Sequence, residues 1–264
     1  MILALETATT ACSVALCAAD GTLAAEVVAL DGPAHTQLLL PGVHEVLARA
    51  GAGWDGVDTV AAGLGPGAFT GLRIGIATAR ALAQADGRVR LAGVPTTAAL
   101  ALALRERVPE AATLVPLIDG RRREVFAAVY EPDDDHGVRL VHEVVVLPVA
   151  EAPAWLAGLG GAAVAGGDGV ALLGDALPPG VTDAGLPAPT AAMVGRAVAR
   201  GVPGLVTGPD AVLPLYGRAP DAARWQGPSA GSPTPAQSSE PAPSSGAPEA
   251  PAPGSTPSAG EVRP

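Results

Sequence analysis

The sequence predicts an α/β protein built of two related halves, each with a mixed sheet. Three observations point there. Apolar runs of strand length alternate with helix-period segments along most of the chain. Two stretches, LALETAT…CSVAL near the start and VPLIDGRRREVFAAV from Val115, each close a first strand on a carboxylate and then fold back, a weak internal repeat. Hydrophobic residues make up 48% of the 264 residues but aromatics only 3%, so the core must be Ala, Val and Leu, with close backbone approaches.

The elements follow in order. Ile2–Leu5 is a short apolar run ending at Glu6-Thr7, Cys12–Ala18 follows a Thr-rich turn, and Asp20-Gly21 turns the chain into Leu23–Leu30. Thr36–Ala50 reads as the first helix, with Pro41 tolerated near its start and Gly51 past its end. Asp58–Ala62 is a strand, 63–83 supplies a loop and a helix, Arg90–Gly93 is a strand, and Pro95–Arg107 is an Ala/Leu helix. The second half opens with strands at Thr113–Ile118, Glu124–Tyr130 and Val138–Leu147. Ala150–Leu159 and Thr190–Arg200 read as helical and Val212–Tyr216 as extended. Such duplicated halves with mixed sheets are the arrangement of the actin/hexokinase/Hsp70-like (ribonuclease H-like) fold. The halves divide at residues 1–107 and 108–225, and 226–264, nearly all Pro, Ser, Ala, Gly and Glu, reads as a disordered tail.

Charge and cysteine usage exclude several function classes. A net charge of −10 argues against gripping nucleic acid alone, because phosphate neutralisation drives that binding. The basic run Arg121-Arg122-Arg123 sits at a hairpin turn and reads as solvated. The N-terminus lacks a cationic start and carries Glu6 within its apolar stretch, so it reads as a strand and not as a signal peptide. No run of about 20 apolar residues suggests a membrane span. Cys12 and Cys17, on opposite faces of one strand, cannot pair, so nothing calls for an oxidising compartment. These readings place the chain in the cytoplasm.

The segment 63–83, GLGPGAFTGLRIGIATARALA, carries the most information. Gly65, Gly67, Thr70 and Gly71 form a candidate phosphate loop at a helix N-terminus. Yet Leu72-Arg73 follows Gly71 where a Walker loop needs Lys-Ser or Lys-Thr, and Thr70 stands where a dinucleotide fingerprint needs its third Gly. The alternative is a tight turn in which Gly65 and Gly67 supply positive φ and Thr70 caps the helix. Gly71, Gly75, Thr78, Ala79 and Leu82 make one smooth helical ridge. Each glycine inside a helix costs roughly 1 kcal/mol relative to Ala, so another backbone must come close, either within the chain or from a partner.

This segment, with LALETAT at the start, HTQLLLPGVHEVL at 35–47, IDGRRREVFAAVY at 118–130 and LPLYGR at 213–218, resembles the TsaB (YeaZ) family from Met1 to about Arg218. The resemblance implies a partner of the TsaD-type catalytic subunit, with a TsaE-type ATPase. That assembly transfers threonylcarbamoyl to N6 of the adenosine next to the anticodon in tRNA. It further implies that two N-terminal helices dock on TsaD as a helical bundle, through His35, Leu39, Val43 and Leu47 on the first and Gly71, Gly75, Thr78, Ala79 and Leu82 on the second. Homodimers of the isolated chain would use the same surface. Under this resemblance tRNA is met only through the complex, and ATP or ADP and a metal belong to the partner subunits.

No catalytic residue is assigned. TsaD-type subunits hold a metal through two histidines one helical turn apart, whereas no pair among His35, His44, His136 and His142 has that spacing. Ser13, the only serine before Ser229, lies within a strand with no histidine near it in sequence. Glu6 and Asp119 are the remaining candidates: strand-end carboxylates of this fold can manage magnesium and an attacking water, and they can equally close turns. The competing function is therefore an autonomous Mg-dependent ATP hydrolase or phosphotransferase using Glu6, Asp119 and the 65–71 loop.

Overall fold

Eleven strands and six helices can be followed through the described residues. The computed structural model describes residues 1–30 and 35–217, and only the backbone of residues 35 and 36. The tail expected from residue 226 onward, and Arg218, lie outside them. The first half runs β1 (Ile2–Glu6), β2 (Cys12–Cys17), β3 (Leu23–Ala29), α1 (His35–Arg49), β4 (Thr59–Gly63), α2 (Phe69–Ala85), β5 (Arg90–Val94) and α3 (Thr96–Arg107). The second runs β6 (Leu114–Arg121), β7 (Glu124–Asp133), β8 (Gly137–Pro148), α4 (Ala152–Gly158), β9 (Ala163–Gly166), α5 (Val170–Leu173), β10 (Val181–Asp183) and α6 (Ala191–Arg200), followed by β11 (Val206–Thr207).

The two halves repeat each other element for element. The first sheet has the order β11-β5-β4-β1-β2-β3 and the second β10-β9-β6-β7-β8, so β6 to β10 take the places of β1 to β5. In both, the central strand pairs antiparallel with the next strand and parallel with the one after the first helix. Both sheets are therefore mixed, as the repeat in the sequence implies.

Strand alternation sorts the side chains into layers. Leu3 and Leu5 face one side with Val14, Val60 and Ala62, where α1 and α2 contribute Leu39, Val43, Val46, Ile76, Ala79 and Ala83. Ile2 and Ala4 face the other side, where α3 and α6 pack between the two sheets against Leu114, Ile118, Phe126 and Tyr130. The outer face of the second sheet packs on α4 and α5 through Val115, Leu117, Leu156 and Leu173. Cys12 and Cys17 are both buried and free, in different clusters, as their spacing requires.

α6 is held by side chains of the first sheet. Ser13 Oγ accepts the Ala191 N–H at 2.8 Å and Glu26 Oε1 accepts that of Ala192 at 2.8 Å, so strand residues cap the helix. Removing the first cap, Ser13→Ala, is expected to cost about 1 kcal/mol in denaturant titrations. Ser13 is thus a buried structural hydroxyl.

Two local expectations need correction, and two further features go beyond the sequence reading. Pro41 lies at the middle of α1, not near its start, and is exposed, so the carbonyl it leaves without a donor is on the solvent side. Val212–Tyr216 does not form a strand; it crosses the surface as an irregular strap with only Val212 buried in the core. The hairpin Arg121–Arg123 is solvated, but all three residues sit at positive φ (62°, 53° and 62°). The short elements β9, β10, β11 and α5 were not anticipated.

Candidate functional site

The glycine segment starts from β4. Gly63 lies where a Cβ would come 2.0 Å from Glu6 Oε2, so the absence of a side chain leaves room for the Glu6 carboxyl. Gly65 has a φ of 98°, as the turn reading requires, but Gly67 does not have positive φ. Gly67 is small for another reason: a Cβ there would sit 2.1 Å from the Ala8 carbonyl oxygen. Thr70 does not cap α2 either; the cap position is Ala68, without a side-chain hydrogen bond. Two of the loop's amides are already used, Gly65 N–H by Thr96 Oγ1 at 3.1 Å and Ala68 N–H by Ala8 O at 2.6 Å. The segment is built as a packed turn.

The ridge on α2 also turns inward. Thr7 donates its hydroxyl hydrogen to the Gly71 carbonyl at 2.9 Å. A Cβ on Gly75 would meet Thr7 Oγ1 at 2.1 Å. The close neighbour that the two glycines imply is therefore the β1–β2 turn of the same chain. Gly71, Gly75 and Ala79 are buried there, while Thr78 and Leu82 lie half-buried at the rim. On α1 the same holds: Leu39 and Val43 are 1% and 7% exposed within the core, and Leu47 is half-buried against it. His35 opens α1, its side chain outside the described residues. The expected contact residues are thus largely the inner faces of the two helices.

The outer faces are a quarter to half a turn away. α1 exposes Leu40, Pro41, His44 and Ala48, and α2 exposes Arg73, Ala77, Ala81 and Gln84. Both helices pack on the same side of the first sheet and touch each other, so these two stripes look outward together. At the N-terminal end of α2 the strap's Leu213, Leu215 and Tyr216 join Phe69 of the helix in a cluster of exposed apolar side chains. The strap is tied down by Leu215 N–H to the Leu64 carbonyl at 2.7 Å and by stacking of Phe69 on Tyr216. The sequence reading missed this arrangement. The signal available for it was Phe69 and Tyr216 themselves, two of the chain's few aromatics.

Glu6 is sealed in. Its Oε1 accepts the N–H groups of Thr7 and Ala8, each at 2.7 Å, and Oε2 accepts the Thr96 hydroxyl at 2.9 Å. Burial pushes its carboxyl up to about 7, against the lowering pull of these three bonds, and the charge of Asp168 adds to the rise. A carboxyl bonded to three donors and 1% exposed has no water to activate. It joins β1, the glycine turn and α3.

Asp119 closes its own hairpin, accepting the Arg121 N–H at 2.7 Å and pairing with the Arg121 guanidinium at 3.0 Å. Its N–H donates to Asp168 Oδ1 at 2.9 Å. Asp168, absent from the sequence-based candidates, follows β9 in Gly-Gly-Asp-Gly, the counterpart of the glycine turn after β4. Burial raises its carboxyl to about 6, with the Asp119 charge contributing. Glu6 ends β1, whereas Asp119 lies within β6, which continues to Arg121, and each is committed to local bonds. Among the described residues no three His, Cys, Asp or Glu side chains are grouped to hold a metal ion, and no helix is long and apolar enough to cross a membrane.

A family model described as TsaD: tRNA N6-adenosine threonylcarbamoyltransferase matches residues 29–152. The tRNA threonylcarbamoyladenosine biosynthesis protein TsaB of Escherichia coli (strain K12) is 40% identical over 134 residues, 51% of this chain and 56% of that protein. TsaB of Haemophilus influenzae is 39% identical over 126 residues, 47% of this chain and 51% of its own length. The matched part of the chain thus spans about half the length of these curated relatives. Among solved structures, YeaZ from Pseudomonas aeruginosa superposes with a TM-score of 0.64 at 33% identity, covering 81% of this chain and 99% of that one.

Proposed function

This chain belongs to the TsaB (YeaZ) family of tRNA threonylcarbamoyladenosine biosynthesis, and from that premise we propose that it is a non-catalytic subunit that docks a TsaD-type catalytic subunit through the outward faces of α1 and α2. The observation that carries this reading is the paired, outward, small-residue surface itself: Ala48 beside α1's Leu40 and His44, and Ala77 and Ala81 on α2. Small side chains let a partner helix approach closely, and a helix pair with one face in the core offers the other as half of a four-helix bundle. The contact residues shift from the inner ridge to this outer stripe. A second copy of the chain takes the same face when the TsaD-type subunit is absent. The TsaE-type ATPase, tRNA, nucleotide and metal are met through the assembled complex.

The rival enzymatic reading loses its two carboxylates, since Glu6 and Asp119 are spent on backbone amides and on Arg121. The docking reading is tested on exposed positions. Ala77→Trp and Ala81→Trp are expected to leave the melting temperature of the isolated chain within a few degrees. Affinity for the TsaD-type subunit of the same genome should fall about 30-fold or more, the loss typical of a disrupted interface centre. Wild-type affinity in both variants would overturn the proposal.

A further inference from the structure

We infer that Arg73 is the electrostatic anchor of this face, and that its ligand is a carboxylate, Asp or Glu, carried by a helix of the protein partner. The inference rests on the docking face proposed above and specifies its chemistry.

The chain carries a net charge of −10, yet α2 contains no acidic residue at all, and its outward stripe bears Arg73 and Arg80. Some exposed arginines pair with carboxylates among the described residues, Arg49 with Glu45, Arg88 with Asp86 and Arg139 with Glu131. Arg73 and Arg80, one above the other at i and i+7, have no carboxylate partner among the described residues. A cationic stripe within an acidic protein is complementary to an acidic helix.

Arg73 is also held in place. Its guanidinium lies 3.8 Å from the centroid of the Phe69 ring, and its Nε donates to the Tyr216 hydroxyl at 3.0 Å. Both rings are about half exposed and stack on each other at 5.3 Å, so the cation sits on an aromatic platform at the rim of the face. With Nε committed, the two terminal nitrogens remain, and their paired N–H groups match a carboxylate approaching end-on. An arginine already fixed in orientation gives up little rotamer freedom on binding. A purely local role, pinning the strap to α2, needs the Tyr216 bond but not the free fork.

The test uses the full chain with the TsaD-type subunit of the same genome, titrated at low and high salt. Arg73→Gln should weaken binding by about tenfold or more at low salt, with much of the salt dependence gone, since the charge pair is what salt screens. Arg73→Glu should bind more weakly still. Arg73→Lys keeps the stem and the charge without the fork and should not restore affinity. If Arg73→Gln melts early, Arg73→Lys carries the test, with a drop of about tenfold expected. Ala77→Trp separates the two readings. If it abolishes binding while Arg73→Gln and Arg73→Lys bind within about threefold of wild type, the face stands and the anchor is overturned. If Arg73→Gln loses binding while Ala77→Trp does not, the anchor stands and the face moves toward the strap. A chain in which neither change matters refutes both.

Discussion

Leucine at position 75 is expected to destabilise the isolated chain by several kcal/mol and to lower its melting temperature by well over 5 °C. Sequence pattern alone suggests the contrary outcome, a stable monomer that no longer binds, because Gly75 sits mid-ridge on a helix where Leu has the higher propensity. The deciding distance is that between the Gly75 Cβ position and Thr7 Oγ1, 2.1 Å, with Thr7 Cβ and Cγ2 both at 3.2 Å. Thr7 is itself 1% exposed and bonded to the Gly71 carbonyl, so it has nowhere to retreat. Overpacking of this kind costs about 1–3 kcal/mol, and the displaced Thr7 hydroxyl adds about 1 kcal/mol. Gly75→Ala already introduces the clash and should show a reduced form of the same loss. Combining it with Thr7→Ala should recover part of the stability, a coupling visible in a double-mutant cycle. A Gly75→Leu chain that unfolds at the wild-type denaturant midpoint while failing to bind its partner would return the glycine to the interface.

This reversal shows where the sequence is legible and where it is not. The longer strands, the duplicated half and the long helices follow from apolar periodicity over five or more residues, and each lies within a few residues of its expected place. β10 and β11 have three and two residues, and β9 is Ala-Val-Ala-Gly, so none holds a full period to detect. Gly75 fails for a different reason. In a chain whose core is Ala, Gly, Val and Leu, a stripe of small residues marks close packing without saying what lies opposite, and here the stripe faces β1 and its turn. The outward stripe was legible only as its complement, the positions holding Arg73, Arg80 and Gln84. Asp168 was missed because a lone Asp among glycines reads as a turn, and its burial depends on sheet pairings that sequence spacing does not reveal.

Stability is expected to fall as pH rises from about 4.5 to above 7, and Glu6 is the main cause. The unfolded chain releases the Glu6 proton near the ordinary 4.5, while the folded chain keeps it until about 7 because burial disfavours the carboxylate. Between these values the folded state holds one proton more than the unfolded state, so the contribution of Glu6 is complete below the lower value and lost through the upper one. The steepest loss is about 1.4 kcal/mol per pH unit. The charged group that bears on the carboxyl is Asp168, itself raised to about 6 and acting in the same direction; the Cys12 thiol, pushed up to about 11 by burial and the Glu6 charge, stays neutral across this range. Glu6→Gln keeps the shape and the two amide bonds at Oε1 while removing the proton exchange. Denaturant titrations at intervals across this range should therefore show a falling wild-type curve and a flatter Glu6→Gln curve, with Asp168 accounting for the remaining slope. Parallel curves would exclude Glu6 as the titrating group. The bonds from Thr7, Ala8 and Thr96 favour the carboxylate, so ionising Glu6 tightens them, and the stability is lost instead to the burial of an uncompensated charge and its repulsion by Asp168.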